Sequence, residues 1–323
     1  MTTVPRQASA LRAAELYYLE NQTMDAISQI LGCSRATVSR LVSEAKSAGL
    51  VEIIVHRKGR AAAMLERLIG ERYGVSVTVV APPPDATESD RLRHVAAQGA
   101  ALLRTQLAPD LTLGVLWGVT VSALARSLSP GVVPGMQVVQ IGGAGNTFSA
   151  GAEYASGTLA RFGAALGARV HHFPLPAFFD SAATREVVWS ERSVQRVLRL
   201  QQRANVAVFS VSALGGRVPG HLYRAGYLQR DELQSLANQG VVGELGTVFL
   251  RADGTSSSIA LNDRASGLPI DALRLIPRRI CVGVGRTKAA ILRAALVAGA
   301  VTDLVVDDGA AERLAEDSDF VIG

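Results

Sequence analysis

Three stretches of the chain put a glycine-rich loop between an apolar run and a helical pattern, and each carries groups able to hold an anion. Trp117-Gly118-Val119-Thr120-Val121-Ser122 allows close backbone approach at Gly118 and offers hydroxyls at Thr120 and Ser122. Where such a loop opens a helix, free N–H groups and the helix dipole favour negative charge. Gly142-Gly143-Ala144-Gly145-Asn146-Thr147 is a second loop of this kind, with Gly143 among its glycines. The third is Gly285-Arg286-Thr287-Lys288, where Arg286 and Lys288 bring positive charge. Two further clusters carry carboxylates: Glu244 in Val242-Gly243-Glu244-Leu245, and Asn262-Asp263-Arg264. Sugar hydroxyls need acceptors as well as donors, and these groups supply both. Asp263 beside Arg264 reads equally as a solvated ion pair in a turn, and any one of the glycine loops equally as a plain corner of an α/β fold. No G-x-G-x-x-G stands at a first βα turn and there is no G-x-x-x-x-G-K-[ST], so a nucleotide site gains no support.

These loops need a scaffold, and the pattern supplies one. Strand-like runs lie at Val75–Val80, Leu113–Trp117, Gln137–Ile141, Arg169–Phe173, Val206–Val211, Gly246–Leu250, Arg279–Val284 and Asp303–Val306. Helix-like runs lie between many of them, at Asp90–Leu107, Thr120–Leu128, Glu153–Leu166, Ser193–Arg203, Arg230–Gln239 and Thr287–Ala298. Several strand runs are apolar throughout, as strands covered on both faces must be. The alternation predicts a mostly parallel, doubly wound α/β sheet. Ligands of such sheets sit beyond the carboxyl ends of the strands, near a switch point, which is where the three glycine loops fall.

The N-terminal stretch has another character. Thr23 precedes a short helical pattern with Met24, Ile27, Ile30 and Leu31 on its apolar side, and Gly32 ends it. Ser34 then caps a second helix, with Val38, Leu41, Val42 and Ala45 as its inner stripe. This predicts a helix-turn-helix, whose second helix enters the DNA major groove by its N-terminal end. Ser34, Arg35, Thr37, Ser39 and Arg40 fall where they would reach bases and phosphates. Residues 8–21 read as a supporting helix, with Leu11, Ala14, Leu16, Tyr17 and Leu19 giving apolar surface. Leu50–Arg57 reads as a strand, followed by Lys58-Gly59-Arg60, so Arg57 and Lys58 would touch phosphate in a wing or serve as a basic linker. Domain bounds of 1–58 and 59–323 follow.

Composition agrees with this division. A chain of 323 residues, 48% hydrophobic, is long enough for two cores. Its net charge is +5, and residues 1–60 hold eight Lys/Arg against five Asp/Glu, so positive charge is denser at the end expected to meet phosphate. Cys33 and Cys281 form no disulfide framework, and the five histidines have no metal-ligand spacing with them. Neither a metal nor a cofactor is expected. No signal peptide and no apolar run of membrane-spanning length is evident, which points to a cytoplasmic protein without a membrane partner.

The order and spacing of the later segments resemble the SorC family of bacterial sugar-binding transcriptional regulators. The matching segments include SRATVSRLVSEAKSAGLVEI, GVLWGVTVSALA, ASGTLARFGAALGARVHHFPLPAFFDS, VGELGTVFLRADG and LNDRASGLPIDALRLIPRRICVGVG. The resemblance implies an effector domain similar to sugar-phosphate deaminase and isomerase folds, a sugar, polyol or sugar-phosphate effector, and a dimer or tetramer on palindromic operator DNA. It implies effector contacts from Gly118, Thr120, Glu244, Asn262, Asp263, Arg264 and Lys288. Val119 departs from the family's usual arginine in the tryptophan-glycine turn, and Glu244 stands where aspartate is commoner. Arg286 would then compensate for the missing arginine. The implied activity is regulation of transcription rather than catalysis; the alternative is a sugar-phosphate isomerase or deaminase with a helix-turn-helix appendage, using Glu244, Asp263 and Lys288 as acid and base.

Overall fold

The computed structural model describes residues 6–20, 22–51, 59–146, 152–215, 221–224 and 226–316. The chain divides into two compact units, Met1–Arg57 and Lys58–Gly323.

The first unit contains α1 (Arg6–Tyr18), α2 (Met24–Leu31) and α3 (Arg35–Ser47). The Thr23 side chain accepts from the Ala26 N–H, and that of Ser34 accepts from Thr37 N–H at 3.2 Å, so both helices start on side-chain caps. Gly32 takes φ +63° between them, a left-handed conformation that only glycine adopts without a Cβ clash. Ala13, Leu16, Ile27, Val38 and Val42 close a small core. The apolar surface of α1 differs from the expected one: Leu11, Tyr17 and Leu19 are exposed, while Ala10 and Ala13 join Ala14 and Leu16 inside. Alanines let α1 approach α3 closely, and Leu19 lies past the end of its helix. The expected wing strand Leu50–Arg57, with Arg57 and Lys58, lies outside the described residues but for its first two positions.

The second unit opens with α4 (Arg60–Tyr73), β1 (Ser76–Val80), α5 (Glu88–Thr105), β2 (Thr112–Val115), α6 (Val119–Arg126), β3 (Gln137–Gln140), α7 (Ala152–Leu166) and β4 (Arg169–His171). It continues through α8 (Ala182–Ser190), α9 (Arg192–Gln202), β5 (Val206–Phe209), β6 (Val211–Ala213), α10 (His221–Arg224), α11 (Arg230–Asn238), β7 (Val241–Leu245) and β8 (Val248–Arg251). The last elements are α12 (Ala260–Asp263), α13 (Ile270–Arg274), β9 (Arg278–Gly283), α14 (Ala289–Val297), β10 (Asp303–Asp307) and α15 (Asp308–Glu316).

Seven parallel strands form the main sheet in the order β1-β10-β9-β5-β2-β3-β4. Neighbouring residues of one strand face opposite layers. Val208 belongs to the layer of Val95, Leu103, Leu124 and Phe162, whereas Phe209 belongs to the layer of Ile69, Ile291, Leu292 and Leu314. This double coverage explains the unbroken apolar runs in the sequence. The strands depart from the expectation in two places: in the expected run Gly246–Leu250, Gly246 and Thr247 form a turn and β8 follows outside the parallel sheet, and a second expected run is split. The run Val206–Val211 is not one strand: the chain turns at Ser210, and β6 leaves to form a separate antiparallel sheet with β7 and β8. Periodicity cannot signal such a turn, because both halves are apolar and β-branched.

Candidate functional site

β2 and β5 are adjacent in the sheet but far apart in the chain, and the connections leaving them run in opposite directions. That is the switch point, where the loops diverge and leave a crevice. A cavity of about 110 Å³ lies there, lined by the ends of both strands, the β7–β8 turn and the segment before α14. Trp117, Gly118, Val119 and Thr120 come from the β2 end, Ser210 and Ser212 from the β5 end, Glu244, Gly246 and Thr247 from the small sheet, and Thr287 and Lys288 from the third glycine loop.

Each wall has a local cause. Gly118 sits at φ +156°, ψ 163°, a region essentially confined to glycine, and it serves as the N-cap of α6 without any side-chain cap. The first N–H groups of α6 have no helical partners and no cap, so this turn presents donors and a partial positive charge to the crevice. β7 and β8 join through Gly246 (φ +56°) and Thr247 (φ +73°), a two-residue turn with both central residues left-handed. A buried β-branched residue rarely adopts that conformation. Two bonds hold Thr247 there: its N–H donates to Glu244 Oε2 at 2.7 Å, and its Oγ1 accepts from the Gly267 N–H at 3.0 Å. The strained turn thereby fixes the Glu244 carboxylate at the cavity wall.

The Lys288 Nζ donates to Ser210 Oγ at 3.3 Å and to Thr120 Oγ1 at 3.5 Å, which joins the β9, β5 and β2 ends. Burial depresses the pKa of this ammonium below its ordinary range, and nearby Glu244 and Asp307 pull the other way. Burial raises that of Glu244, opposed by bonds from Ser212 and the Thr247 N–H and by Lys288. One desolvated cation and one desolvated carboxylate thus face one cavity, each lending the other part of the charge stabilisation that water would provide.

The sign of the pH effect follows. Glu244 holds its proton more tightly in the fold than in the unfolded chain, so its contribution to stability falls as pH rises through and above the ordinary value of 4.5. Glu244→Gln removes that decline. The melting temperature of the variant minus that of the wild type is expected to increase from pH 4.5 towards neutrality, and a difference constant over that range would contradict a raised Glu244.

Of the expected effector residues, Gly118, Thr120, Glu244 and Lys288 meet at this cavity. The others have different partners. Ser122, one turn into α6, is buried and accepts from Arg126 Nη1 at 3.1 Å. Gly143 donates its N–H to Ser266 Oγ at 2.8 Å, and its carbonyl accepts from Trp117 Nε1 at 2.9 Å, so it positions the tryptophan. The Gly285 N–H donates to Asp307 Oδ1 at 2.9 Å. Arg286 turns outwards to Glu312 and Glu316 at 2.7 and 2.9 Å, so among the lining residues Lys288 is the cation. Asp263 offers its carbonyl to Arg185 at 3.2 Å, and Arg264 pairs with Glu232 and donates to the Asp180 carbonyl.

Asn262 clamps a strand. Its Oδ1 accepts from the Phe249 N–H at 2.8 Å, and its Nδ2 donates to the carbonyls of Phe249 at 3.0 Å and Ser256 at 2.8 Å. Asn262→Ala leaves these part-buried groups unpaired and is expected to cost about 2–4 kcal/mol in urea unfolding.

Sequence reasoning missed Ser210, Ser212 and Thr247. The rule that ligands sit at strand ends would reach Ser210 and Ser212 only if the run Val206–Val211 were known to end at Phe209, which places both beyond the strand end. Nothing local marks Thr247, since its turn exists only once β7 pairs with β8. Trp117 also lines the cavity and stacks on Tyr227 with ring centroids 5.4 Å apart.

In the first unit the cap Ser34 is exposed, as are Arg35, Ser39 and Arg40 on α3, and Thr37 is half-buried. Arg35 lies 3.6 Å from Asp25, a solvated pair that a phosphate can displace. No helix among the described residues is long and apolar enough to cross a membrane.

A family profile described as "Putative sugar-binding domain" matches residues 59–316. The "Deoxyribonucleoside regulator" of Bacillus subtilis (strain 168) is 31% identical over 312 residues, covering 97% of this chain and 98% of the relative. A solved domain of a possible sugar-binding transcriptional regulator from Arthrobacter aurescens TC1 is 42% identical, with a TM-score of 0.75, over 80% of this chain and 99% of that one. The full-length sorbitol operon regulator SorC from Klebsiella pneumoniae superposes with a TM-score of 0.76 over 97% of this chain and 100% of that one, at 21% identity, a likeness of fold.

Proposed function

The chain belongs to the SorC family of sugar-binding transcriptional regulators, and from that premise we propose that the cavity at the β2–β5 switch point takes a phosphorylated sugar or polyol as effector. The observation that carries this reading is the Lys288 ammonium, bonded to Thr120 and Ser210 beside the uncapped first turn of α6 and facing the buried Glu244. An anionic phosphate suits the helix terminus and the lysine. Glu244, Ser212 and Ser210 suit hydroxyls, which both donate and accept. The absence of an arginine at position 119 leaves the anion end with one side-chain cation, so the selectivity for phosphorylated over neutral sugars should be modest in this chain.

The output is DNA binding by α3, with Arg35, Thr37, Ser39 and Arg40 towards base edges and phosphates, in the cytoplasm. Operator half-sites lie about 34–36 Å apart, so two copies of the chain would be needed and a ligand-driven change in their placement would alter affinity. Arg57 and Lys58 would add phosphate contacts. The regulator names of the relatives favour this reading over a sugar-phosphate isomerase or deaminase.

A thermal-shift screen of sugars, polyols and their phosphates tests the effector. A compound that fits raises the melting temperature further as its concentration rises above its dissociation constant. The same compound should quench or shift Trp117 fluorescence and alter DNA affinity. If only compounds without a phosphate or hydroxyl-rich chain stabilise the protein, the assignment is wrong.

A further inference from the structure

Several arginines of the chain are paired. Arg12, Arg67, Arg91, Arg264, Arg278 and Arg286 each sit against a carboxylate. Helix α9 carries a row of arginines without such partners. Arg192, Arg196, Arg199 and its C-cap Arg203 are all exposed, and among the described residues no carboxylate pairs with any of them. Their spacing of four, three and four residues confines them to about 60° of the helix circumference, at 3.6 residues per turn. The opposite side of α9 is fixed by Val194 and Val197 against Val139 and Phe173, so the arginine row cannot turn inwards.

The row is costly without a partner. Like charges one turn apart repel. Arg192 lies at the N-terminal end, where the helix dipole disfavours a cation. Arg169, exposed on the edge strand β4, extends the field: it acts on His171 together with Arg196. The N-terminus of α9 has one acidic neighbour, Glu191, and the helix itself contains no Asp or Glu.

A protein partner would want an apolar centre with charges at the rim. The exposed side chains of α9 are Arg192, Ser193, Arg196, Arg199 and Gln202, with no apolar group among them. A regular row of phosphates fits better. From Arg192 to Arg203 the helix rises about 16 Å at 1.5 Å per residue, the axial span of about five phosphates on one DNA strand. We propose that the arginine face of α9 is a second DNA-contacting surface, carried by the sugar-binding unit, that grips the phosphate backbone without reading sequence. The proposal rests on the reading of the chain as a DNA-binding regulator.

The test measures binding of the full-length protein to a long mixed-sequence duplex by fluorescence anisotropy, between about 50 and 200 mM salt. The variants are the triple Arg192→Gln, Arg196→Gln, Arg199→Gln, the single Arg40→Ala, and a charge-matched control, Arg67→Gln, Arg274→Gln, Arg313→Gln. Each lost phosphate contact lowers the slope of log affinity against log salt by about 0.9, so the α9 triple should lose about 2.7 and the control nothing. The melting temperature of the triple should equal or slightly exceed that of the wild type, since none of the three side chains is buried and their mutual repulsion is relieved. An unchanged slope in the α9 triple, with a reduced one in Arg40→Ala, overturns the proposal and leaves the regulator reading intact. A wild type that does not bind the duplex even at low salt overturns both. A triple variant that keeps its slope but changes its sedimentation mass assigns the row to a protein interface and also overturns the proposal.

Discussion

Replacing Lys288 with methionine is expected to abolish the response to a phosphorylated sugar while the chain stays folded and binds DNA. The ammonium contributes the cation of the cavity, and hydrogen bonds to charged groups are worth about 1.5–3 kcal/mol each. Losing two such bonds to an anionic ligand weakens binding on the order of 100-fold or more by the same figures. Stability should fall near neutral pH, and by less in mild acid, with the fold retained. Removing the cation leaves the buried Glu244 carboxylate without its compensating charge, a cost that shrinks as Glu244 takes up a proton at lower pH. Methionine keeps the stem's volume against the neighbouring walls. Calorimetry with the best stabiliser from the thermal-shift screen reads the affinity directly. Unchanged affinity in Lys288→Met would remove the cavity from consideration as the effector site.

Arg40→Ala has the largest expected effect at the other end of the chain. Arg40 is exposed on α3 and donates a long bond from Nε to the Ala36 carbonyl at 3.4 Å. Val38, Val42 and Ala45 anchor the helix from the opposite side, so alanine leaves the core intact. A specific arginine–base or arginine–phosphate contact is worth about 1–3 kcal/mol, which predicts a loss of roughly 10- to 100-fold per half-site and more for two half-sites bound together. Binding should be measured against operator DNA selected from a random pool with the wild-type protein. The effector-induced thermal shift should survive in Arg40→Ala, because the change is confined to the first unit. Retention of specific binding at physiological salt would mean that α3 does not enter the groove in the expected way.

The two substitutions separate input from output. Lys288→Met should yield a protein that binds DNA and ignores sugar, and Arg40→Ala one that binds sugar and ignores DNA. Coupling between the two sites is reciprocal in binding free energy. In the wild type, therefore, operator DNA should change effector affinity by the same factor as effector changes DNA affinity.

Much of this molecule was written locally. Thr23, Gly32 and Ser34 determine where α2 and α3 begin and end, because a cap needs only a side-chain oxygen within three residues and a left-handed turn needs only a missing Cβ. The buried strands β2, β5, β9 and β10 announce themselves as continuous apolar runs, because a parallel sheet is covered on both faces. Gly118, Thr120 and Lys288 were legible as cavity residues, since strand ends in such sheets face the ligand crevice. Asn262, Asp263 and Arg264 looked alike in the sequence, a polar cluster beside a glycine. Pairing decided their separate fates: Asn262 bonds to β8, Arg264 to Glu232, and Asp263 is left to the surface. Arg286 and Lys288 are two residues apart, yet the turn before α14 sends one to α15 and the other into the crevice. Short-range preferences determine which elements form and where they end. Which polar side chains share a cavity depends on contacts between residues far apart in the chain, as when Glu244 of the small antiparallel sheet comes to face Lys288 of the turn between β9 and α14, and no local pattern encodes those.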